Sequence, residues 1–303
     1  MFIRKLLASQ QTRHILSDYV FILPQLILYI GLTILPFFVA LPILFTDRQS
    51  ILDSTVNTVG FANFTKIFDD QSVHDTFWPA LFRTLRFASL NYIMVFVFGL
   101  TLALIMYELG FKGGFFTVIY LPWMISGFAL GFMAIMLFAQ STGTVNLLLI
   151  KLGIINQAID IKNSSGTTII LPIFIGWQMA GFNMAIFLSG LLSIPSENIE
   201  AAIVDGASYW QRLTRIYFPQ MIPSFIMVTI FCLIMSFGIF DPLVALGGTT
   251  TNQDAMFLSV VFIKYGFAMN KLALSMTMAL ETGIPLVIVA ILLQRLQKRL
   301  QYY

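Results

Sequence analysis

Between Ser196 and Ser224 the sequence reads SENIEAAIVDGASYWQRLTRIYFPQMIPS, and this stretch decides how the chain is organised. It carries five charged side chains, although only 10% of the residues in the whole chain are charged. Long apolar runs flank its charged part, from about Thr168 to Leu192 and from Ile216 to Phe240. A charged, glycine-broken segment between two such runs predicts a structured connection outside an apolar layer.

The composition places that layer in a membrane. Apolar residues make up 58% of the chain and the mean hydropathy is +0.87, whereas soluble domains are about half apolar and about a quarter charged. A spanning helix needs about 20 apolar residues. The stretches that meet this requirement are Tyr19–Thr46, Phe87–Tyr107, about Phe115–Ala139, Thr168–Leu192, Ile216–Phe240 and Leu272–Gln294. The sequence therefore predicts an all-α polytopic membrane protein with six transmembrane helices.

The distribution of charge predicts the orientation. With the N-terminus inside, the inner segments carry nine Lys and Arg against five acids, and the outer segments carry eight of each. Basic residues prefer the cytoplasmic side. The segments so predicted are a cytoplasmic N-terminal segment at 1–18, a six-helix transmembrane domain at 19–294 and a cytoplasmic tail at 295–303. The first apolar run is too long for a signal-peptide core, so we predict a retained helix.

Local signals predict two helices within the charged stretch. Ser193 or Ser196 can cap the first helix, and Gly206 tolerates the left-handed conformation that ends helices. Ser208 and Gln211 have the spacing of a capping box, which starts a second helix at once. The loop is therefore predicted to be helix, glycine elbow, helix: a stiff projection into the cytoplasm.

At this loop the sequence resembles a known family. Its spacing is similar to the EAA motif of membrane subunits of binding-protein-dependent ABC importers, although Phe218 stands where leucine is usual. The residues that carry the motif are Glu200, Ala201, Ala202, Asp205, Gly206 and Ala207, followed by Ile216 and Pro219. GFANFTKIF, LPWMISGFALGF, GWQMAGFNMAIFLSGLLSIP and FDPLVALGG resemble the sugar-importer branch, in particular the maltose-type first permease. Thr249 replaces a usual proline, and the resemblance covers about residues 58–298.

The resemblance implies the architecture and the partners. The fold is a type I ABC importer permease core, and a coupling loop at 193–216 inserts its first helix into a cytosolic ATPase. Two permeases form the pore, two ATPase subunits drive it, and an extracellular solute-binding protein delivers the sugar. ATP is bound by the partner ATPase, so this chain needs no cofactor, metal or nucleic acid and is no enzyme. The location implied is a bacterial or archaeal plasma membrane, with both termini cytoplasmic.

Individual residues keep two interpretations each. Glu200 either contacts a basic residue of the ATPase, as the family implies, or is a surface acid favoured by the helix dipole. The residues that the resemblance implies for sugar binding are Trp123, Trp177, Gln178, Phe182, Ser236, Phe237 and Asp241. Aromatic rings match the flat faces of sugars and amides match their hydroxyls. The alternative for these residues is packing between helices or against lipid. Neither the aromatic residues nor the amides indicate which sugar is bound.

Glu281 is the residue that supports a second hypothesis for the function, a stand-alone proton-coupled transporter. A charge at the centre of a spanning helix costs about 2.5–3.5 kcal/mol on insertion scales, so such residues usually serve a function. Glu281 is predicted either to be hydrogen-bonded or to line a cavity. A stand-alone proton-coupled transporter would use such a carboxylate. An intramembrane enzyme is a third hypothesis, although the chain contains no GxxxxGK[ST], HExxH, CxxC or GxSxG motif.

Overall fold

The structure, a computed structural model, describes residues 10–53, 56–110, 113–164, 166–249 and 252–300. Residues 1–9 and 301–303 belong to the predicted cytoplasmic ends and lie outside the described residues. Within the described ranges, extended segments pair only at an isolated antiparallel bridge between Thr46 and Thr58. The rest of the regular structure is helical.

The helices follow one another with short breaks. In chain order, the α-helices are α1 (Gln10–Tyr29), α2 (Leu35–Ala40), α3 (Ala62–Asp69), α4 (Gln71–Leu109), α5 (Gly114–Tyr120), α6 (Gly127–Leu137), α7 (Thr144–Lys151), α8 (Leu171–Leu192), α9 (Ser196–Val204), α10 (Tyr209–Arg212), α11 (Phe218–Gln220), α12 (Ile222–Phe237), α13 (Asp241–Ala245), α14 (Leu258–Ile263) and α15 (Leu272–Leu300). The π-helical turns are Ile30–Ile34, Gly166–Ile170, Leu213–Tyr217 and Lys264–Ala268. The 3-10 turns are Leu41–Phe45, Leu121–Met124 and Gln253–Ala255.

Within the described ranges, five continuous helical segments are long and apolar enough to cross a membrane. They are Phe21–Phe45, Gln71–Leu109, Gly166–Leu192, Ile222–Ala245 and Leu272–Leu300. They correspond to the predicted first, second, fourth, fifth and sixth spans, and the all-α class is confirmed. The third predicted span is different, because its two halves, Gly114–Met124 and Gly127–Leu137, meet at an angle of 90°.

The break in the third span has a local cause. After the 3-10 turn that contains Pro122, Ile125 and Ser126 adopt extended backbone conformations. The Ser126 hydroxyl then accepts a hydrogen bond from the Ala129 amide at 3.2 Å and starts α6 as a new helix. The predicted third span, about Phe115 to Ala139, is therefore made of two helices joined at a break, and it counts as a sixth span if the bent pair crosses the membrane together. Pro122 does not merely bend the span, because a serine cap restarts the helix in a new direction.

Helix α4 is longer than the sequence predicted. It has 39 residues, or about 58 Å at 1.5 Å per residue, against a hydrocarbon core of about 30 Å. Asp70 caps its first turn, accepting hydrogen bonds from the Ser72 and Val73 amides at 3.0 and 3.3 Å. A hydrogen bond from the Ser72 hydroxyl, together with these amides, also lowers the pKa of Asp70. The helix therefore begins well before the predicted span of Phe87–Tyr107.

The core lies where α4 and α8 run along each other. Glycines allow the close approach: a Cβ on Gly99 would lie 3.0 Å from the Asn183 Cβ, and one on Gly176 would lie 2.5 Å from the Met94 Cβ. Fully buried side chains such as Phe187 fill the seam. Small residues at such seams let membrane helices pack closely. This pair of helices is the frame on which the remaining spans are placed.

The two ends of α4 mark the two sides of the molecule. Its C-terminal Tyr107 packs against Tyr217, next to the charged stretch, with ring centroids 5.8 Å apart. Its N-terminal cap, Asp70, faces the polar segment that follows the first span. The coupling loop and the segment from Thr46 to Asp70 therefore lie at opposite ends of the transmembrane domain.

The orientation in the membrane remains a prediction and can be measured. In a Cys232→Ala background the chain contains no cysteine, because Cys232 is the single one. We expect a Gln211→Cys variant to resist an impermeant thiol reagent added outside intact cells, and Gln71→Cys and Asn252→Cys variants to react. Labelling of Gln211→Cys from outside would contradict the orientation. Tyr303, predicted to be cytoplasmic, lies outside the described residues.

Candidate functional site

The first helix of the coupling loop, α9, is held at its base and free at its tip. Its N-cap residue is Pro195, and no side chain caps it. The predicted cap by Ser193 or Ser196 is therefore wrong, because the Ser193 hydroxyl donates instead to the Gly190 carbonyl at 2.7 Å. Ile199 packs against the main core, so the helix leaves the membrane domain at a fixed angle.

Gly206 ends α9 in the predicted way. Its φ is +76°, the left-handed region that glycine enters without steric cost. The Gly206 amide donates to the Ile203 carbonyl at 3.0 Å and the Ala207 amide donates to the Ala202 carbonyl at 2.9 Å. This pair of hydrogen bonds is a Schellman motif, which satisfies the last carbonyls of a helix. The elbow is therefore a defined structure and not a slack turn.

The second helix begins immediately after the elbow. The Gln211 side chain accepts from the Ser208 amide at 2.7 Å and the Ser208 hydroxyl accepts from the Gln211 amide at 3.4 Å, which confirms the predicted capping box. Tyr209 is anchored against the core, and its burial, reinforced by the nearby Glu108, raises the pKa of its phenol.

The tip of the loop exposes a mixed surface. Glu200, Ala201, Asp205 and Gly206 are exposed, whereas Ala202 and Ala207 are half-buried. The same surface exposes large apolar side chains that the sequence reasoning did not single out, namely Ile203, Val204 and Trp210, which are 52%, 86% and 70% exposed. Apolar side chains rimmed by charge are typical of protein interfaces. The EAA motif is recognised by its small residues, so it gives no signal for these apolar neighbours.

The transmembrane part contains a cleft that unites some of the predicted sugar residues. Its volume is about 280 Å³, and it is lined by Trp123, Gly127, Ile175, Gln178, Met179, Met235, Gly238, Ile239, Phe240, Asp241 and Pro242. Trp123, Gln178 and Asp241 come from three different spans. The break in the third span creates the cleft, because it carries the chain from Trp123 to Gly127 around one wall.

Two contacts fix the polar and aromatic walls of the cleft. The Gln178 amide nitrogen donates to the Ile125 carbonyl at 2.6 Å, at the break of the third span. The Trp123 ring stacks on Phe182 with centroids 4.7 Å apart and planes 22° apart. Phe182 in turn packs against Phe231 at 4.5 Å. Gln178 therefore has a structural function as well as a place at the cleft, and Phe182 supports Trp123 from behind.

Four predicted sugar residues lie outside the cleft: Phe182, which stacks on Trp123, and Trp177, Ser236 and Phe237. Trp177 is 41% exposed, because one residue along a helix turns the side chain by about 100° from the direction of Gln178. Ser236 is buried and accepts a hydrogen bond from the Asn91 amide at 3.0 Å. Phe237 faces a separate apolar cavity. In the described residues, Gly127 and Gly238 line the cleft without having been predicted, since glycines signal backbone geometry rather than sugar chemistry.

Glu281 lines that separate cavity, which has a volume of about 610 Å³ and apolar walls that include Phe77, Trp78 and Phe237. Its Oε2 atom is buried, and no donor in the described ranges reaches it. A buried polar atom without a hydrogen bond is costly. Glu281 therefore lines a cavity, as one of its two interpretations predicted, and the hydrogen-bonding interpretation finds no support at its Oε2 atom in these ranges. The cavity shares no lining residue with the cleft.

Comparison with known proteins gives consistent matches. Residues 95–301 match the family described as the binding-protein-dependent transport system inner membrane component. The chain is 27% identical over 275 residues to the probable starch degradation products transport system permease protein AmyD of Thermoanaerobacterium thermosulfurigenes, covering 90% of this chain and 91% of that protein. It is 30% identical over 230 residues to the probable ABC transporter permease protein YesP of Bacillus subtilis, covering 75% and 72%.

Further matches agree. The trehalose transport system permease protein SugA of Mycobacterium tuberculosis is 28% identical over 240 residues, covering 78% of this chain and 75% of that protein. A chain of a bacterial alginate ABC transporter, solved in complex with an alginate pentasaccharide-bound periplasmic protein, has the same fold. Its TM-score is 0.78 at 22% identity, and 96% of each chain is covered.

The family match covers more than half of the chain, and the relatives are named as permeases. The chain is accordingly a multi-pass membrane transport subunit and not an enzyme. It belongs to the family of binding-protein-dependent transport system inner membrane components, the permease subunits of ABC transporters.

Proposed function

We propose that this chain forms half of the translocation pore of an ATP-driven importer of neutral oligosaccharides. The observation that carries the proposal is the cleft, where an indole ring, a side-chain amide and a carboxylate converge from three spans. Stacking faces and hydrogen-bonding groups are what a sugar requires. The relatives named for starch degradation products and trehalose support the same substrate class.

The charge of the cleft favours a neutral substrate. Asp241 lines it, and no Lys or Arg is among the residues that line it in the described ranges. A carboxylate in such a position repels an anion, most strongly away from bulk water. The solved relative in this fold imports the acidic polysaccharide alginate, so the fold itself accepts anionic sugars. We therefore expect Asp241 to disfavour anionic sugars in the cleft of this chain.

Energy is supplied from outside the chain in this proposal. A cytosolic ATPase binds and hydrolyses ATP, and the exposed tip of the coupling loop, with Glu200, Val204 and Trp210, docks into it. A second permease completes the pore and an extracellular solute-binding protein delivers the sugar. The alginate transporter was solved with its periplasmic protein, which supports this last partner. Both termini are cytoplasmic in this arrangement.

Reconstitution tests the proposal. The full chain is co-purified with its ATPase, second permease and binding protein and placed in liposomes with ATP inside. We expect uptake of labelled neutral oligosaccharides and no uptake of alginate oligosaccharides. An Asp241→Asn variant, which keeps the shape of the side chain, is expected to admit the acidic sugar more readily. Uptake driven by a pH gradient by this chain alone would contradict the importer function.

The carboxylate of Glu281 separates the importer from the proton-coupled alternative. Glutamine has the same shape without the charge, so Glu281→Gln removes the cost of an ion in the apolar cavity. We expect ATP-driven uptake to stay within about twofold of the wild type, the range of substitutions outside functional features. Loss of uptake in this variant, together with a dependence of wild-type uptake on a pH gradient, would instead support proton coupling.

A further inference from the structure

A polar pocket of about 200 Å³ lies at the end of the transmembrane domain opposite the coupling loop. The segment that follows the first span closes it, since the Arg48 and Gln49 carbonyls accept hydrogen bonds from the Ala273 and Leu272 amides at 3.0 and 3.1 Å. These bonds attach the end of the first span to the start of α15. The pocket is bounded by this junction, by α3 and by Asp70.

Three cations line this pocket and meet neutral groups in the described part of the chain. The Arg48 guanidinium donates to the carbonyls of Ser50, Ile51 and Asp53. The Lys66 ammonium donates to the Asn63 side-chain carbonyl at 3.0 Å, and the Lys271 ammonium lies 5.8 Å from the centroid of the Tyr265 ring. Among the described residues the one ion pair within 4.0 Å is His74 with Asp75, elsewhere on the surface.

The acids in the same pocket have other partners. Asp47 accepts hydrogen bonds from the Asn57 amide at 2.7 Å and from its side-chain nitrogen at 2.9 Å. Asp70 accepts those from the first turn of α4. These hydrogen bonds lower the pKa of both carboxyls, with smaller contributions from Lys66 and Lys271. Hydrogen bonding leaves both carboxyls ionised, so the pocket holds three positive and two negative charges and is positive on balance.

An apolar groove follows the pocket along the same two elements. It has a volume of about 510 Å³ and lies between the last turns of the first span, which contribute Phe37 and Leu41, and α15, which contributes Met276, Gly283 and Ile288. Every described residue that lines it is apolar. From Met276 to Ile288 the groove extends over about 18 Å of helix, slightly more than the roughly 15 Å depth of one lipid leaflet.

We propose that pocket and groove together form a binding site for an anionic phospholipid. Its phosphate lies among Arg48, Lys66 and Lys271, and one acyl chain lies in the groove. Cationic side chains near the membrane surface bind anionic lipid headgroups. Because an apolar groove lies directly beyond these cations, the site favours a ligand that has an acyl chain over a soluble anion. In the described part of the first span no residue of the 18-residue apolar window is buried, so such a lipid would hold this helix against α15.

The test measures lipid affinity of the full-length chain, purified with its partner subunits in a neutral detergent. Dioleoylphosphatidylglycerol, dioleoylphosphatidylcholine and inorganic phosphate are titrated separately, with native mass spectrometry and the unfolding temperature as readouts. The charge variant is Lys66→Gln with Lys271→Gln. Its matched control is Lys151→Gln with Lys162→Gln, which removes two charges from exposed positions away from the pocket. The groove variant is Gly283→Leu, with Gly283→Ala as its control.

We expect the charge variant to bind phosphatidylglycerol about thirtyfold more weakly, from a loss of about fivefold for each cation. The exposed-lysine control should retain wild-type affinity. Gly283→Leu should displace the lipid by filling the groove, since no atom lies within 4 Å of a Cβ placed there, and Gly283→Ala should not. Wild-type affinity equal for both lipids would overturn the proposal.

Two other outcomes would also overturn it. If inorganic phosphate stabilises the wild type as much as the lipid does and Gly283→Leu changes nothing, the pocket binds a soluble anion. If the charge variant keeps its lipid but loses the stimulation of ATP hydrolysis by the binding protein, the three cations form a docking surface for acidic side chains of that protein.

Discussion

Replacing Gly206 by valine is expected to lower sugar uptake and binding-protein-stimulated ATP hydrolysis at least about tenfold, while the chain still inserts into the membrane. The reason is the backbone: Gly206 has φ +76°, where a β-branched residue is strained by about 1–3 kcal/mol. A Cβ at this position meets no other atom within 4 Å, so no clash with a neighbour contributes. The strain is relieved by changing the elbow, which moves α9 relative to α10.

Gly206→Asn is the matched control for this change. Asparagine also adds a side chain but enters the left-handed conformation readily, so we expect it to retain most of the activity. The measurement compares ATP hydrolysis in proteoliposomes with recovery of the ATPase in a pull-down. Normal stimulation in Gly206→Val would show that the loop is a connector only. Equal loss in valine and asparagine variants would show that the surface, and not the elbow, is what the partner requires.

The elbow was predictable from sequence because short-range signals determine it. Gly206 has to adopt a conformation that few other residues accept, and the Ser208–Gln211 capping box depends on residues only three positions apart. The long apolar runs predicted the crossing helices for the same reason, since their length and composition are local properties. The cap of α9 failed because Ser193 has a competing partner, the Gly190 carbonyl of the preceding helix.

The shape of the third span was not predictable from hydropathy. Its residues are apolar on both sides of the break, so a window of about 20 residues registers one span. The break depends on Ser126 as a cap and on Gln178, from another helix, holding the Ile125 carbonyl. A hydropathy window cannot detect a contact between residues 53 positions apart in the sequence. The length of α4 was underestimated for a related reason. Its first turns are amphipathic, because they pack on α3 and also carry polar residues, so they do not register as part of an apolar run.

The candidate sugar site was predictable by residue type and not by direction. The sequence GWQMAGFN places an aromatic beside an amide, but neighbours on a helix point about 100° apart. Only Gln178 of that pair reaches the cleft, where it joins Trp123 from the third span. Which face of α8 turns inward is decided by the close approach of Gly176 to Met94 and of Gly181 to the Ile119 and Tyr120 backbone. Those contacts join residues far apart in the sequence, so the direction of each side chain could not be predicted from GWQMAGFN alone.

This geometry makes opposite predictions for two adjacent residues. We expect Gln178→Leu to lower sugar uptake about tenfold to hundredfold, because leucine fills a similar volume but leaves the Ile125 carbonyl without its donor, a loss of about 1–3 kcal/mol. It also removes an amide from the wall of the cleft. Trp177→Ala removes a larger side chain but one that lies outside the cleft, so we expect uptake to stay within about twofold.

Trp123→Ala separates substrate contact from support of the break. It leaves the Gln178 hydrogen bond in place and removes the indole face that lines the cleft and stacks on Phe182. If the cleft binds sugar, this variant loses uptake while binding-protein-independent ATP hydrolysis and subunit assembly stay normal. Gln178→Leu, which also releases the third span, should in addition lower the unfolding temperature. Should Trp177→Ala abolish uptake while Trp123→Ala and Gln178→Leu remain active, the sugar passes along the exposed face of α8 and the cleft serves packing alone.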